Sequence, residues 1–230
     1  MVAPVRAGYD LFAHYAYPPN ELGYCGPPGA SVEQLAHRAR EFDGAWPYLA
    51  ALGGACGRDP LDAEVVRNYW VGGSLLDSLD PVVLLDRLRR DFAGQATGML
   101  GSVDSALAHH SFHVFVVYPW VRFLGRGDPT TPLHVLQSCR IRWGTVVSVG
   151  SEFAEVRSRP LVYDGTLGFA DPVVETVRWR KGTSALVSAP EVGETVAAHW
   201  DWICGRLDGV DVAVLEERTA QVLESVAAAG

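Results

Sequence analysis

Lysine is almost missing from this sequence: Lys181 is the only one among 19 basic residues. With 27 acidic residues against those 19, the formal net charge is −8. A chain of that balance, with no basic stretch, lacks the surface that neutralises nucleic-acid phosphates. Long apolar runs are missing too. The stretch over 112–124 is too short and too interrupted to cross a bilayer. No N-terminal segment combines the charged, apolar and small-residue regions of a secretion signal. The expectation is a cytoplasmic protein that engages neither membrane nor nucleic acid.

Cysteine is sparse, and Cys25, Cys56, Cys139 and Cys204 form no CxxC pair. Local spacing therefore gives no structural zinc site, and in a reducing compartment all four remain thiols. The sequence also has no HExxH, no phosphate-binding Gly-rich loop with lysine, no GxGxxG after a strand and no GxSxG elbow. Zinc peptidase, nucleotide-binding and serine-hydrolase chemistry thus lack their usual signatures.

What is present is an ordinary folding composition, 48% apolar and 20% charged, arranged in two styles. Up to about residue 130 the pattern is helical. The first thirty residues, rich in Pro and Gly, read as an ordered loop around a short helix. Ser31 caps a helix that runs to about residue 52, with a break at Pro47. Asp59-Pro60 and Asp80-Pro81 each start another helix, because proline suits the first helical position after a capping aspartate. A fourth helix is expected over 103–124, bent before Pro119. GRGDPTTP then reads as an exposed connector. Beyond it, IRWGTVVSV, FAEVRSRPLVY, PVVETVRWR, ALVSA and GETVAAHWDWICGRL are short β-branched and aromatic runs separated by turn residues. They predict a small barrel, followed by an amphipathic helix from Val210. The fold class is α+β, with a helical domain over 1–130 and a barrel domain with its C-terminal helix over 131–230.

Two stretches of the second half carry a family likeness. One is Cys139-Arg140-Ile141-Arg142-Trp143-Gly144-Thr145-Val146-Val147. The other is Val192-Gly193-Glu194-Thr195-Val196-Ala197-Ala198-His199, followed by the helical tail. In order and spacing, over roughly ninety residues, they resemble the small β-barrel hydrogenase-maturation chaperones of the HypC/HupF family. The resemblance implies an OB-like barrel and a role in nickel–iron hydrogenase maturation. It also implies an iron cargo carrying cyanide and carbon monoxide, held by the Cys139 thiolate with His199 beside it. The implied partners are a HypD-like maturation protein or the hydrogenase large subunit. The chain departs from the family in that Cys139 follows 138 residues instead of becoming N-terminal, and Trp143 stands where a proline precedes the glycine.

The helical half adds its own cluster, Ala108-His109-His110-Ser111-Phe112-His113. On a helix His109 and His113 share a face at i and i+4, and His110 with His113 is the rival pair at i and i+3. Cys25 sits on a Gly-rich bend, with His14 or the histidine cluster as candidate partners. If the helical half covers the mouth of the barrel, Cys25, the histidine cluster and the Cys139–His199 pair converge on one metal site. Tyr118, Trp120 and Trp143 are then its dry walls. Two other readings stay open: a non-haem metal enzyme that uses the His109–His113 cluster and Cys25 on a small molecule, and a metal-free protein-interaction adaptor.

Overall fold

The computed structural model describes residues 4–229, a mixture of helix and sheet that ends in a C-terminal helix. The first element, α1 (Pro4–Glu21), is an 18-residue helix where the sequence suggested a loop around a short one. Phe12, Tyr15 and Ala16 form its buried stripe, and Pro18 and Pro19 fall in its last turn. Pro18 and Pro19 lack the amides that would bond back to the His14 and Tyr15 carbonyls, and the helix ends within a turn of them, so the Pro-rich composition concealed it. Two short pieces follow, α2 (Val32–Leu35) and a 3-10 segment Ala36–Glu41, before α3 (Trp46–Cys56). The expected helix to residue 52 is thus split at residues 42–45.

The helix α4 (Ala63–Trp70) is capped by Asp62, not by Asp59, whereas α5 (Pro81–Asp91) starts as expected. There the Asp80 carboxylate accepts from the amides of Val82 and Val83. The helix expected over 103–124 is reduced to a three-residue α6 (His110–Phe112), a π-helical turn His113–Val117 and a 3-10 turn Pro119–Phe123. A helix that the sequence reading missed, α7 (Thr130–Cys139), ends on Cys139. Pro132 lies in its first turn, where proline is tolerated.

Nine strands follow. They are β1 (Arg142–Val149), β2 (Phe153–Ser158), β3 (Leu161–Tyr163), β4 (Leu167–Phe169), β5 (Val173–Arg178), β6 (Arg180–Lys181), β7 (Ser184–Ala185), β8 (Thr195–His199) and β9 (Trp202–Arg206). Five of them form one sheet in the order β1-β2-β5-β9-β8, and β8 pairs back onto β1, so the sheet closes on itself. All the pairings are antiparallel except β5 with β9. Gly144 is required where β1 crosses β2, since a Cβ there would lie 2.5 Å from the Arg157 carbonyl oxygen. Val146, Val156, Val177, Val196, Ala198 and Ile203 fill the inside.

The outside of the sheet belongs to the larger core, which runs without a break from Phe12 in α1 to Val226 in α8 (Gly209–Ala229). Alternation along β8 decides where the site lies. Val196 and Ala198 face the sheet interior, so Ala197 and His199 face the helices. The C-terminal helix also returns to the helical half, where Thr219 Oγ1 lies 3.1 Å from Ser111 Oγ.

One buried side chain ties α7 to the sheet. Arg142, only 4% exposed, donates from Nε to the Glu175 carboxylate on β5 at 3.1 Å. Its terminal nitrogens donate to the Gln137 and Ser138 carbonyls at the end of α7 and to the Trp200 carbonyl between β8 and β9. A buried guanidinium is tolerated only when paired in this way, and removing it strands its partners. Arg142→Ala is expected to cost about 3–5 kcal/mol in urea unfolding. A loss below roughly 1 kcal/mol, the size of an exposed pair, would show that the clamp is not what holds α7 to the sheet.

Candidate metal centre

The clamp holds the end of α7 against the turn after β8, and three donors meet beside it. Cys139 ends α7, His199 ends β8, and His110 begins α6. One ligand atom from each lies within 4.8 Å of the other two. The resemblance implies His199 beside Cys139, and Cys139 reaches that space from the end of a helix, three residues before β1.

The surroundings of His199 leave one of its ring nitrogens open. Its Nδ1–H donates to the Tyr15 carbonyl of α1 at 2.7 Å, which fixes the tautomer. Its Nε2 is buried and has no hydrogen-bond partner. A backbone carbonyl on one ring nitrogen and a free lone pair on the other is the arrangement that orients metal-binding imidazoles. Left without a cation, an orphaned buried acceptor costs about 1–3 kcal/mol.

His110 is held differently. Nε2 lies 2.8 Å from the Cys139 carbonyl oxygen and Nδ1 lies 3.1 Å from the Tyr69 hydroxyl, which itself donates to the Gly44 carbonyl at 2.8 Å. A neutral imidazole and a phenol bring two protons to these three contacts, so one contact is always short. The Cys139 carbonyl can only accept, so Nε2–H donates to it at rest; moving that proton to Nδ1, where Tyr69 would accept it, would free the Nε2 lone pair for a cation.

Burial sets the charge states. It pulls His110 down to about 4, with the Cys139 carbonyl working against it. Burial also holds His199 well below the usual histidine range, and the nearby His110 adds to the effect. Both rings are therefore neutral donors at pH 7. Burial pushes the Cys139 thiol up, and charge on Cys25 raises it further. Cys25 itself rises to about 11, again chiefly through burial. A dication placed between such thiols reverses this penalty and deprotonates its ligand.

Cys25, His113 and Tyr118 line the same cavity, of about 440 Å3, together with Cys139, His110 and His199. Cys25 rides on a Gly-rich strap. Asn20 Nδ2 donates to its carbonyl at 2.9 Å, and Tyr24 beside it stacks on Trp200 with ring centroids 4.2 Å apart. Trp200 has φ of 52°, the one positive value among described residues other than glycine. The Ser138 carbonyl accepts from its amide and Arg142 donates to its carbonyl, so this strained turn is pinned beside His199.

Three of the sequence candidates fall elsewhere. His109 is the N-cap of α6: its φ of −128° is not helical, and its Nδ1 accepts from the Ser111 amide. The i, i+4 spacing rule therefore does not apply to it, and the His109–His113 pair does not form. Trp143 packs on Phe169 under Arg140, and Trp120 packs on Phe123; neither lines the cavity. Two cavity residues were missed. Tyr69 orients His110, and Trp70 packs against both His110 and His199, at 4.5 Å and 5.7 Å from their rings. Neither has a spacing motif. The only signal was an aromatic pair on the buried face of α4.

Four buried neutral imidazoles make stability depend on pH. His110 is lowered to about 4, His109 and His113 to about 3, and His199 well below 6.5. The unfolded chain takes up these protons near pH 6.5 and the folded chain does not, so stability is full above 6.5 and falls as pH drops. At pH 5 the loss is about 2 kcal/mol per histidine. Urea midpoints of the metal-free protein should drop steeply from pH 7 to pH 5. Equal midpoints would mean that the rings are protonated in the fold.

Comparison with curated proteins and with solved structures finds no match to either. A protein-family model matches residues 4–230, nearly the whole chain. The chain belongs to the family that this model describes, DUF6390, a family of unknown function.

Proposed function

We propose that this chain is a maturation factor for nickel–iron hydrogenase, carrying an iron fragment with cyanide and carbon monoxide ligands on the Cys139 thiolate. The observation that carries this reading is the buried, orphaned Nε2 of His199 beside Cys139, with a third donor from His110 within 4.8 Å. The donor set fits the cargo. A soft thiolate with imidazoles suits a transition ion and not magnesium or calcium. The likeness to HypC-type chaperones supports the rest of the reading. The closed sheet has the strand order 1-2-3-5-4 when the two side hairpins are left out, the order of an OB-like barrel. In this reading the helical half supplies His110, and Cys25 close by, where a free-standing chaperone depends on a partner.

In this arrangement Cys139 loses its proton as it takes the metal, because only the thiolate is a ligand. His199 presents a lone pair already aimed by Tyr15, and Tyr69 selects the His110 tautomer. Trp70, Phe92 and Tyr118 keep water from the centre. The partner that receives the cargo is a HypD-like protein or the hydrogenase large subunit. No described helix is long and apolar enough to cross a membrane.

The test is protein purified without oxygen. The expected result is one iron per chain, infrared bands in the cyanide and carbonyl stretching regions, and affinity that rises with pH as the thiol ionises. Cys139→Ala and His199→Ala should each weaken iron binding at least tenfold. The double variant should add little, as expected for one shared site. Full iron content in Cys139→Ala would sink the reading. Iron or zinc without those bands would point to a small-molecule enzyme, and no metal to an adaptor.

A further inference from the structure

Beside the Cys139 sulfur stands a polar group that the donor trio does not use. Trp200 follows His199 directly, in the turn between β8 and β9. Its amide donates at 2.7 Å to the carbonyl of Ser138, the residue before Cys139. The indole is buried, and its Nε1 has no hydrogen-bond partner of ordinary geometry. An indole nitrogen is a donor only, so no change of tautomer can satisfy it. What the N–H faces is the Cys139 sulfur. Burial raises the Cys139 thiol most and Cys25 raises it further, whereas a hydrogen bond from the Trp200 side chain works the other way. A protonated thiol is a weak acceptor, which leaves the N–H nearly unmet at rest. A metal-bound thiolate is a strong one.

The backbone shows how firmly the indole is placed. The φ of Trp200, 52°, is the one positive value among described residues other than glycine. For a bulky side chain that conformation is strained, and it persists only where the surroundings over-determine it. Here the Ser138 carbonyl and Arg142 fix the peptide groups on either side, and Tyr24 stacks on the indole at 4.2 Å and 26°. A glycine would make the same turn without strain. What the strained residue adds is an indole N–H held against a thiol. Trp200 does not line the cavity, so it reaches the sulfur from the protein side and takes no position at the metal.

We propose that the Trp200 indole N–H donates a hydrogen bond to the metal-bound sulfur of Cys139, as a positioning residue that draws electron density from the thiolate and so sets how strongly it donates to the metal. The inference deepens the metal-carrier reading and rests on it. Hydrogen bonds to ligating sulfur are a general lever on a metal's electronics. The indole keeps its proton throughout, and it competes with none of the ligands that the cargo brings.

Cobalt(II) is the probe, followed optically on the full chain. Wild type should bind it and show an intense sulfur-to-cobalt charge-transfer band. Trp200→Phe keeps an aromatic ring for Tyr24 to stack on but has no N–H. It should bind the same amount of cobalt, with the band moved to lower energy, because the sulfur lone pairs rise when the hydrogen bond is lost. A benzothiophene side chain in place of the Trp200 indole keeps the bicyclic shape and again lacks the N–H. It should give the same shift, and it decides the matter if the Phe variant does not fold. A band that stays in place in the benzothiophene variant would reduce Trp200 to packing and overturn this inference alone, whatever the Phe variant does. A wild-type chain that binds no cobalt, or binds it without a sulfur band, would overturn the carrier reading and this inference together.

Discussion

Everything about the centre depends on one buried guanidinium. Arg142 opens β1, and its five N–H groups are shared among a carboxylate on β5, two carbonyls at the end of α7 and one in the turn between β8 and β9. Helix ends carry unpaired carbonyls, and a sheet turn carries another. A rigid planar fork satisfies both kinds at fixed spacing, which a lysine ammonium could not do. The result is that the last residue of a helix and the last residue of a strand, sixty positions apart, face each other across a few ångströms.

The donors of the centre are also uncharged in its resting state. Burial keeps the histidines neutral and the thiols protonated, and no carboxylate belongs to the donor trio. Such a pocket has little attraction for hard cations, and it favours an ion soft enough to displace a thiol proton. The cost is orphaned polar atoms, on His199 and His113, that the fold tolerates because large aromatic contacts surround them. Stability is given up locally to keep a lone pair unoccupied.

Much of the second half could be read from its residues. Alternation placed β1, β2, β5 and the β8–β9 hairpin. In the first half, capping chemistry worked where the side chain itself makes the bond, as at Asp80, and failed at Asp59, whose carboxylate holds a turn instead. The longest misreadings came from proline. Pro18 and Pro19 close a helix and Pro132 opens one, and composition alone cannot tell either role from a loop. Within the histidine cluster, the choice of His110 over His109 turned on where the helix begins. A single non-helical φ decides that, and no pattern of residue types encodes it.

The donors are also spread along the chain in a way that matters during synthesis. His110 is made early, Cys139 later, and His199 near the end; the hairpin that aims His199 closes only with β9, at Arg206. A growing chain therefore cannot bring the three donors together until nearly all of it has been made. Tyr15, which orients His199, waits from the first helix for a strand 184 residues away. Assembly of the donor trio is thus tied to completion of the fold.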